Sequence, residues 1–537
     1  MGGEKMKATN RIILFILLLS SNLAFSQTTQ TPAQQPPLEL PTFIIEGTAQ
    51  LDVRAGMKQF PQPPTALTST ELDSLNPLEK QNSLLIPAQP LPKSLIIPQY
   101  PNGFVQAQFG LYSTANVLAG YGLKFKGYEL YGRAGVDASS GEVKNSDFRK
   151  FFLNANSDYI APDIFWIFGG SRTRTALNLA YNDYKLYGIL SAPQRTSYNA
   201  GVDLVSEGNY EGVNFSTGVR LNTVQIDDNP AKAFENRLNG FLDVNTYFDD
   251  FKLGGSVDLN FGSVNTHSAN FYELAANGGL YYQLLSIEGE LGYQNNSNTM
   301  GSSQSGLMLN AQLNFLPNKD LTVQAQFYTG FEKRFFTELF KQNPYFNVHS
   351  DFQYPQANGI MRAIIQYHPD AQKGASIEGA AHFYEEYPYF NSDSTNQINL
   401  IYEKANLFKL KAEGFWDITA QDKISADLNF NISSLNFENN TIPYMPIIEL
   451  GANYQRQWFE KFGTNLALIY TSKRFTNREN TLEIDPYFNL KIAVDYDIMR
   501  NLKVFAEMQN LTNSNNFLWY GYRERGIFGT IGVNWKF

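Results

Sequence analysis

The chain contains no cysteine in its 537 residues. A disulfide framework, a thiolate nucleophile and a cysteine-based metal site are all excluded. Charge is scarce as well: Asp, Glu, Lys and Arg make up 17%, against about 25% in ordinary soluble proteins. What charge there is leans acidic, 51 Asp+Glu against 42 Lys+Arg, which argues against a nucleic-acid partner. The four histidines, His267, His349, His368 and His382, lie far apart in the sequence. Beyond the first 26 residues no apolar run reaches the roughly 20 residues that a spanning helix needs. With a mean hydropathy of −0.31, a bundle of membrane helices is excluded. Aromatic residues, by contrast, are abundant at 14%, with 41 Phe and 31 Tyr.

The shortage of histidine also bears on catalysis. A nucleophile and its base drawn from one strand, as in outer-membrane phospholipases, stand two apart and share a strand face. His267-Ser268 and His349-Ser350 are adjacent pairs, which on a strand point to opposite sides. No Asp/Glu–His–Ser arrangement is visible, so the chain reads as a non-enzyme. No cofactor or metal set is expected either.

Residues 1–26 read as a secretory signal peptide. Lys5, Lys7 and Arg11 form a basic start, Ile12–Leu19 an apolar stretch, and Ala24 and Ser26 the small residues before a cut. Residues 27–101 hold 13 of the 24 prolines. Proline lacks the amide donor and fixes φ, so long helices and central strands are excluded there. An irregular periplasmic or lumenal arm is expected, with one short β-like patch at Phe43, Ile44, Ile45, Glu46 and Gly47.

From 102 to 537 apolar and polar residues alternate. Ile527, Gly529, Ile531, Val533, Trp535 and Phe537 fall on one face of a strand, and Phe528, Thr530, Gly532, Asn534 and Lys536 on the other. Leu490, Ile492, Val494, Tyr496 and Ile498 likewise oppose Lys491, Asp495 and Asp497. Connections alternate between tight turns, such as Asp249-Asp250 and Asn318-Lys319-Asp320, and long polar stretches, such as Lys333–Tyr354 and Thr476–Pro486. That asymmetry predicts an all-β fold: a large antiparallel transmembrane β-barrel of about 22 strands, with both termini periplasmic. Residues 151–187 are the hardest to divide. A barrel so wide is not filled by its own side chains.

Two places resemble the β-barrel of TonB-dependent outer-membrane receptors. One is Leu321–Pro344, with Gly330-Phe331, Thr337-Glu338-Leu339-Phe340 and Asn343-Pro344; the family's usual continuation is replaced here by Tyr345-Phe346-Asn347-Val348. The other is Phe505–Phe537, with Asn510-Leu511-Thr512-Asn513, an aromatic loop and a final strand ending in Phe. The resemblance covers the barrel and stops before the plug domain, for which residues 27–101 are too short. It implies residence in a bacterial outer membrane and binding or transport of a solute across it. It also implies assembly by the barrel assembly machinery through the strand ending in Phe537, and contact of Phe43–Gly47 with an energy transducer. A reading from another class is a non-transporting barrel that anchors or scaffolds a surface or periplasmic partner. Without a plug something must close the lumen: the arm in part, and an outer loop or a partner protein for the rest.

Candidate ligand contacts are the aromatic residues of the outer loops: Tyr345, Phe346, Tyr387, Tyr389, Phe390, Phe517, Trp519, Tyr520 and Tyr522. They suit stacking on a sugar or an aromatic ligand, and equally the aromatic girdle of a membrane barrel. Lys409, Lys411, Glu413, Asp417, Asp495, Asp497, Lys503 and Glu507 fall on the lumen face, as solute guides or as mutually paired charges. Arg523-Glu524-Arg525 reads as a loop charge cluster.

Overall fold

A computed structural model describes residues 103–228 and 231–537. The signal peptide, the proline-rich arm and the Phe43–Gly47 patch lie outside the described residues. Twenty-two strands form one antiparallel sheet. The first eight are β1 (Gly103–Gly110), β2 (Thr114–Phe125), β3 (Tyr128–Ser139), β4 (Phe148–Ile160), β5 (Arg172–Lys185), β6 (Gln194–Tyr210), β7 (Val213–Asp227) and β8 (Lys232–Phe248). Next come β9 (Phe251–Val264), β10 (Phe271–Tyr282), β11 (Leu285–Ser297), β12 (Ser303–Asn318), β13 (Leu321–Phe331), β14 (Gln356–Asp370) and β15 (Lys373–Ser392). The last seven are β16 (Ile398–Asp417), β17 (Asp422–Leu435), β18 (Ile448–Phe459), β19 (Phe462–Thr471), β20 (Tyr487–Met499), β21 (Leu502–Gln509) and β22 (Phe528–Lys536). Each strand pairs with its sequence neighbour, and β1 closes the ring on β22, from Phe104 opposite Lys536 to Gly110 opposite Thr530. Closure leaves no edge strand, which is the condition for a sheet to cross a bilayer.

The expected alternation is present. Ile531, Trp535 and Phe537 are exposed while Phe528 and Thr530 are buried. On β20, Ile492, Tyr496 and Ile498 face out, and Asp495 lies 2.6 Å from Lys503. Several of the lumen-face charges are ion-paired: Lys411 meets Glu413 at 2.8 Å, and Asp417 meets Lys423 at 2.8 Å. No helix of the described residues is long and apolar enough to cross a membrane.

Nine of the ten connections at the barrel end where Gly103 meets Phe537 are two to four residues long. At Glu211-Gly212 both residues have positive φ, 50° and 86°, as a two-residue hairpin that follows the strand twist requires. The exception, residues 161–171, explains why the stretch 151–187 resisted division. It carries a short 3-10 turn, Trp166–Phe168, and folds back over the lipid side of the wall, where Phe168 meets Phe215 edge to face at 5.6 Å.

Candidate functional site

The connection between β13 and β14, residues 332–355, turns into the barrel mouth instead of rising from it. The sequence reading took this stretch as a long polar loop, and the structure corrects that. Its Phe336, Leu339, Phe340, Tyr345, Phe346, Val348, Phe352 and Tyr354 are all buried, at the centre of the largest apolar cluster. Burying each of these side chains is worth about 1.5–3 kcal/mol, which offsets much of the entropy cost of ordering the loop. A seven-residue helix, α1 (Phe336–Gln342), begins it. The Glu338 carboxylate accepts from the Phe335 amide, and Asn343-Pro344 ends the helix.

Lumen-facing groups on the wall hold the loop. Arg195 of β6 is 1% exposed and grips Asp228 with Nε and Nη2, both at 2.6 Å. Its Nη1 donates to the carbonyls of Pro344 at 2.6 Å and Phe346 at 2.9 Å. Tyr184 of β5 donates to the same Pro344 carbonyl at 2.8 Å. The buried Glu235 of β8 accepts from the amide and hydroxyl of Thr337. Lys333 reaches Asp258 on β9 at 2.9 Å and Glu273 on β10 at 2.8 Å. Tyr354 donates to the Ala269 carbonyl at 2.9 Å, and Phe352 and Thr299 exchange hydrogen bonds. On the opposite side the Asn347 amide donates to the Ile398 carbonyl at 2.6 Å. The loop thus spans the mouth from β5 to β16.

The candidate aromatic residues fall into two groups. Tyr345, Phe346, Trp519 and Tyr522 come together in the cap. Tyr345 stacks on Tyr522 with ring centroids 4.0 Å apart, Phe346 meets Phe390 at 5.5 Å, and Phe390 meets Trp519 at 5.3 Å. Burial pushes the Tyr345 phenol well above its ordinary range, so it stays neutral. Tyr387 and Tyr389 lie apart, in a second cluster around Tyr384 and Leu407, where Tyr389 donates to Glu403 at 2.9 Å. The Tyr520 ring is half-buried and its amide donates to Tyr444 at 3.3 Å. Glu524 and Arg525 are buried rather than solvated, and the Arg525 guanidinium sits 4.1 Å from the centroid of the Phe528 ring.

Beneath the loop lies a polar cavity of about 490 Å³ between the β4–β9 wall and residues 333–341. The strand register sets two lumen-facing rows across it. The first runs Asn154, Asn178, Gly201, Asn222, Arg237. The second runs Asp203, Arg220, Asn239, Asn260. The Phe335 ring of the loop lies over Arg237, 3.5 Å from guanidinium carbon to centroid. Sequence reasoning missed Arg195, Glu235, Arg237 and this asparagine wall. Their positions on polar strand faces were readable, but which of them share a row depends on register.

No family model matches the chain, and no curated protein matches it. Solved structures do. The chain is similar to the copper transporter OprC, with a TM-score of 0.62 and 12% identity over 81% of this chain and 80% of that one. It is similar to the FrpB iron transporter of Neisseria meningitidis (F5-1 variant), with a TM-score of 0.64 and 9% identity over 82% of each. It is similar to the siderophore receptor PiuA of Acinetobacter baumannii, with a TM-score of 0.61 and 9% identity over 82% of each. At such identity the likeness is one of fold: a 22-strand barrel of the TonB-dependent receptor type.

Proposed function

We propose that this chain is an outer-membrane transporter that admits a solute through the barrel, with residues 332–355 as its built-in outer gate. The observation that carries this reading is the placement of that loop. It crosses the mouth, is held by single side chains such as Arg195, and leaves a polar cavity below it. The fold shared with metal and siderophore transporters and receptors supports the transporter class. The cap aromatics Tyr345, Phe346, Trp519 and Tyr522 serve the gate, and a ligand would meet their rings from outside when it opens. The signal peptide, assembly through the Phe537 strand and the engagement of a transducer by Phe43–Gly47 belong to the same proposal. So does partial filling of the lumen by residues 27–101.

Planar bilayers test it. The intact protein, an Arg195→Ala variant and a deletion of Gln30–Pro98 are compared by single-channel conductance. Raised conductance in Arg195→Ala supports the gate, and a further rise on deletion places the arm in the pathway. The tight aromatic cap favours a second reading, a closed barrel that scaffolds a partner. Zero conductance in all three forms, with a protein that co-purifies with the native barrel, would replace the first reading with the second.

A further inference from the structure

The inward loop closes on the barrel wall partly through one charge. Lys333 Nζ lies 2.9 Å from Asp258 Oδ2 and 2.8 Å from Glu273 Oε1. These two carboxylates stand directly opposite each other on β9 and β10. The wall fixes the other oxygen of each. Asn239 and Asn260 both donate to Asp258 Oδ1 at 2.6 Å, and Gln294 donates to Glu273 Oε2 at 2.7 Å. The near oxygens therefore stay aimed at one point whether or not Lys333 is there. The Phe271 ring lies beside the ammonium, 5.6 Å from Nζ to centroid, a distance at which a ring face attracts a cation. Burial acts against the Lys333 charge, but Glu273 and Asp258 outweigh it and hold the ammonium above its ordinary range. Two carboxylates and a ring face make a receptor for an ammonium group, and the loop's own lysine fills it.

A solute in the cavity can reach this receptor. Lys333 and Asp258 line the cavity, and the side chains of Lys333, Asp258 and Glu273 keep 31%, 19% and 12% of their surface exposed. Apart from the paired Arg195 and Asp228, the wall around the cavity carries Asp203, Glu235, Asp258 and Glu273 against Arg220 and Arg237. Lys333 belongs to the loop and leaves with it, so an open gate has a wall with an excess of negative charge. Partly buried carboxylates that lose their cation are strongly unfavourable. Opening is easier when another cation takes the vacated place. Linkage makes this reciprocal: a solute that binds only where Lys333 has left shifts the loop towards open. Among the described residues no group of three or more His, Asp and Glu side chains suits a metal ion. Two carboxylates beside a phenyl ring instead match an ammonium on a carbon stem, the chemistry of Lys333 itself.

We propose that Lys333 is a tethered stand-in for the solute. The solute is a small alkylamine whose primary ammonium displaces Lys333 from Asp258 and Glu273 and so releases the gate. The proposal rests on the reading of residues 332–355 as a gate and names the class of solute that opens it.

The test uses the full chain in nanodiscs of zwitterionic lipid, titrated with cadaverine by equilibrium dialysis. 1,5-Pentanediol and glutarate serve as neutral and anionic analogues of the same length and are expected not to bind. Lys333→Met keeps the stem and removes the competing charge, so it should bind cadaverine at least tenfold more tightly than the wild type. Adding Glu273→Gln or Asp258→Asn to Lys333→Met should abolish that gain. Lys333→Gln is a second variant with the same expectation, and all are checked for heat-modifiable migration as folded barrels. An ion pair that only docks the loop predicts no cadaverine binding once Lys333 is replaced. That result, equal affinity in the wild type and both Lys333 variants, or a gain that survives both carboxamide changes would each overturn the proposal. In planar bilayers, cadaverine on both sides should raise the conductance of the wild type. The gate reading fails separately: cadaverine binding as expected, with conductance unchanged by cadaverine and by Arg195→Ala, sinks the gate and leaves the ammonium site standing.

Discussion

Arg195 and Asp228 form a two-point ion pair at the barrel mouth, with both N···O distances 2.6 Å, and the third guanidinium nitrogen holds the inward loop by two carbonyls. Asp228 fixes the plane of the guanidinium, so Nη1 is aimed before the loop arrives. A lysine could match the charge but not the fork. Arg195→Lys is therefore expected to resemble Arg195→Ala more than the wild type. Truncating one member of a buried pair costs about 3–5 kcal/mol, which should appear as loop opening while the barrel persists. Raised conductance with unchanged heat-modifiable migration is the expected outcome; loss of the folded band in both variants would show that the pair serves barrel assembly instead.

Phe346 is fully buried between Phe336 and Phe390. Phe346→Ala should destabilise the docked loop by about 3–5 kcal/mol. Hydrogen exchange should then quicken at the amides of 336–352 and stay slow in β13 and β14. Equal acceleration in the strands would mean that loop and barrel open as one unit.

The face assignment of β20 is tested by a neighbouring pair. Val494→Arg puts a cation against hydrocarbon and should cost about 2–4 kcal/mol near the midplane. Asp495→Asn removes a half-exposed partner of Lys503 and should leave folding nearly unchanged. Denaturant-dependent refolding into vesicles reads both, and equal defects would reverse the assignment.

The long connection between β4 and β5 carries Ile164 and Trp166, 89% and 77% exposed. Phe168 packs on Phe215, on the same strand face as the exposed Val219 and Leu221. This continuity with the lipid-facing wall predicts that the loop tip sits at the membrane interface, where aromatic residues are favoured. Because the chain lacks cysteine, Ile164→Cys can be labelled alone with an environment-sensitive dye. Quenching by shallow nitroxide lipids and shielding from iodide are expected, with the reverse at Asp250→Cys in a two-residue turn. Matching behaviour at the two positions would place the loop tip in water.

The sequence by itself determined the barrel. Period-2 alternation is a local property, written into each strand without reference to its partners. The alternation of short and long connections then fixed which side was which, and the even count returned both ends to the periplasm. That is why Ile531 and Asp495 could be given faces from the sequence alone. The gate was decided by tertiary structure. Residues 332–355 carry polar and apolar groups without strand or heptad periodicity, so a solvated loop and a buried cap read alike. What distinguishes them is contact with Tyr184 and Arg195, about 150 positions away in the chain. The same holds for the asparagine wall. Which lumen residues align, Asn154, Asn178, Asn222 and Arg237 among them, depends on the register of four strand pairs, and a slip of two residues would preserve every face and scatter the row. Faces follow from local periodicity; rows and caps exist only once the ring has closed.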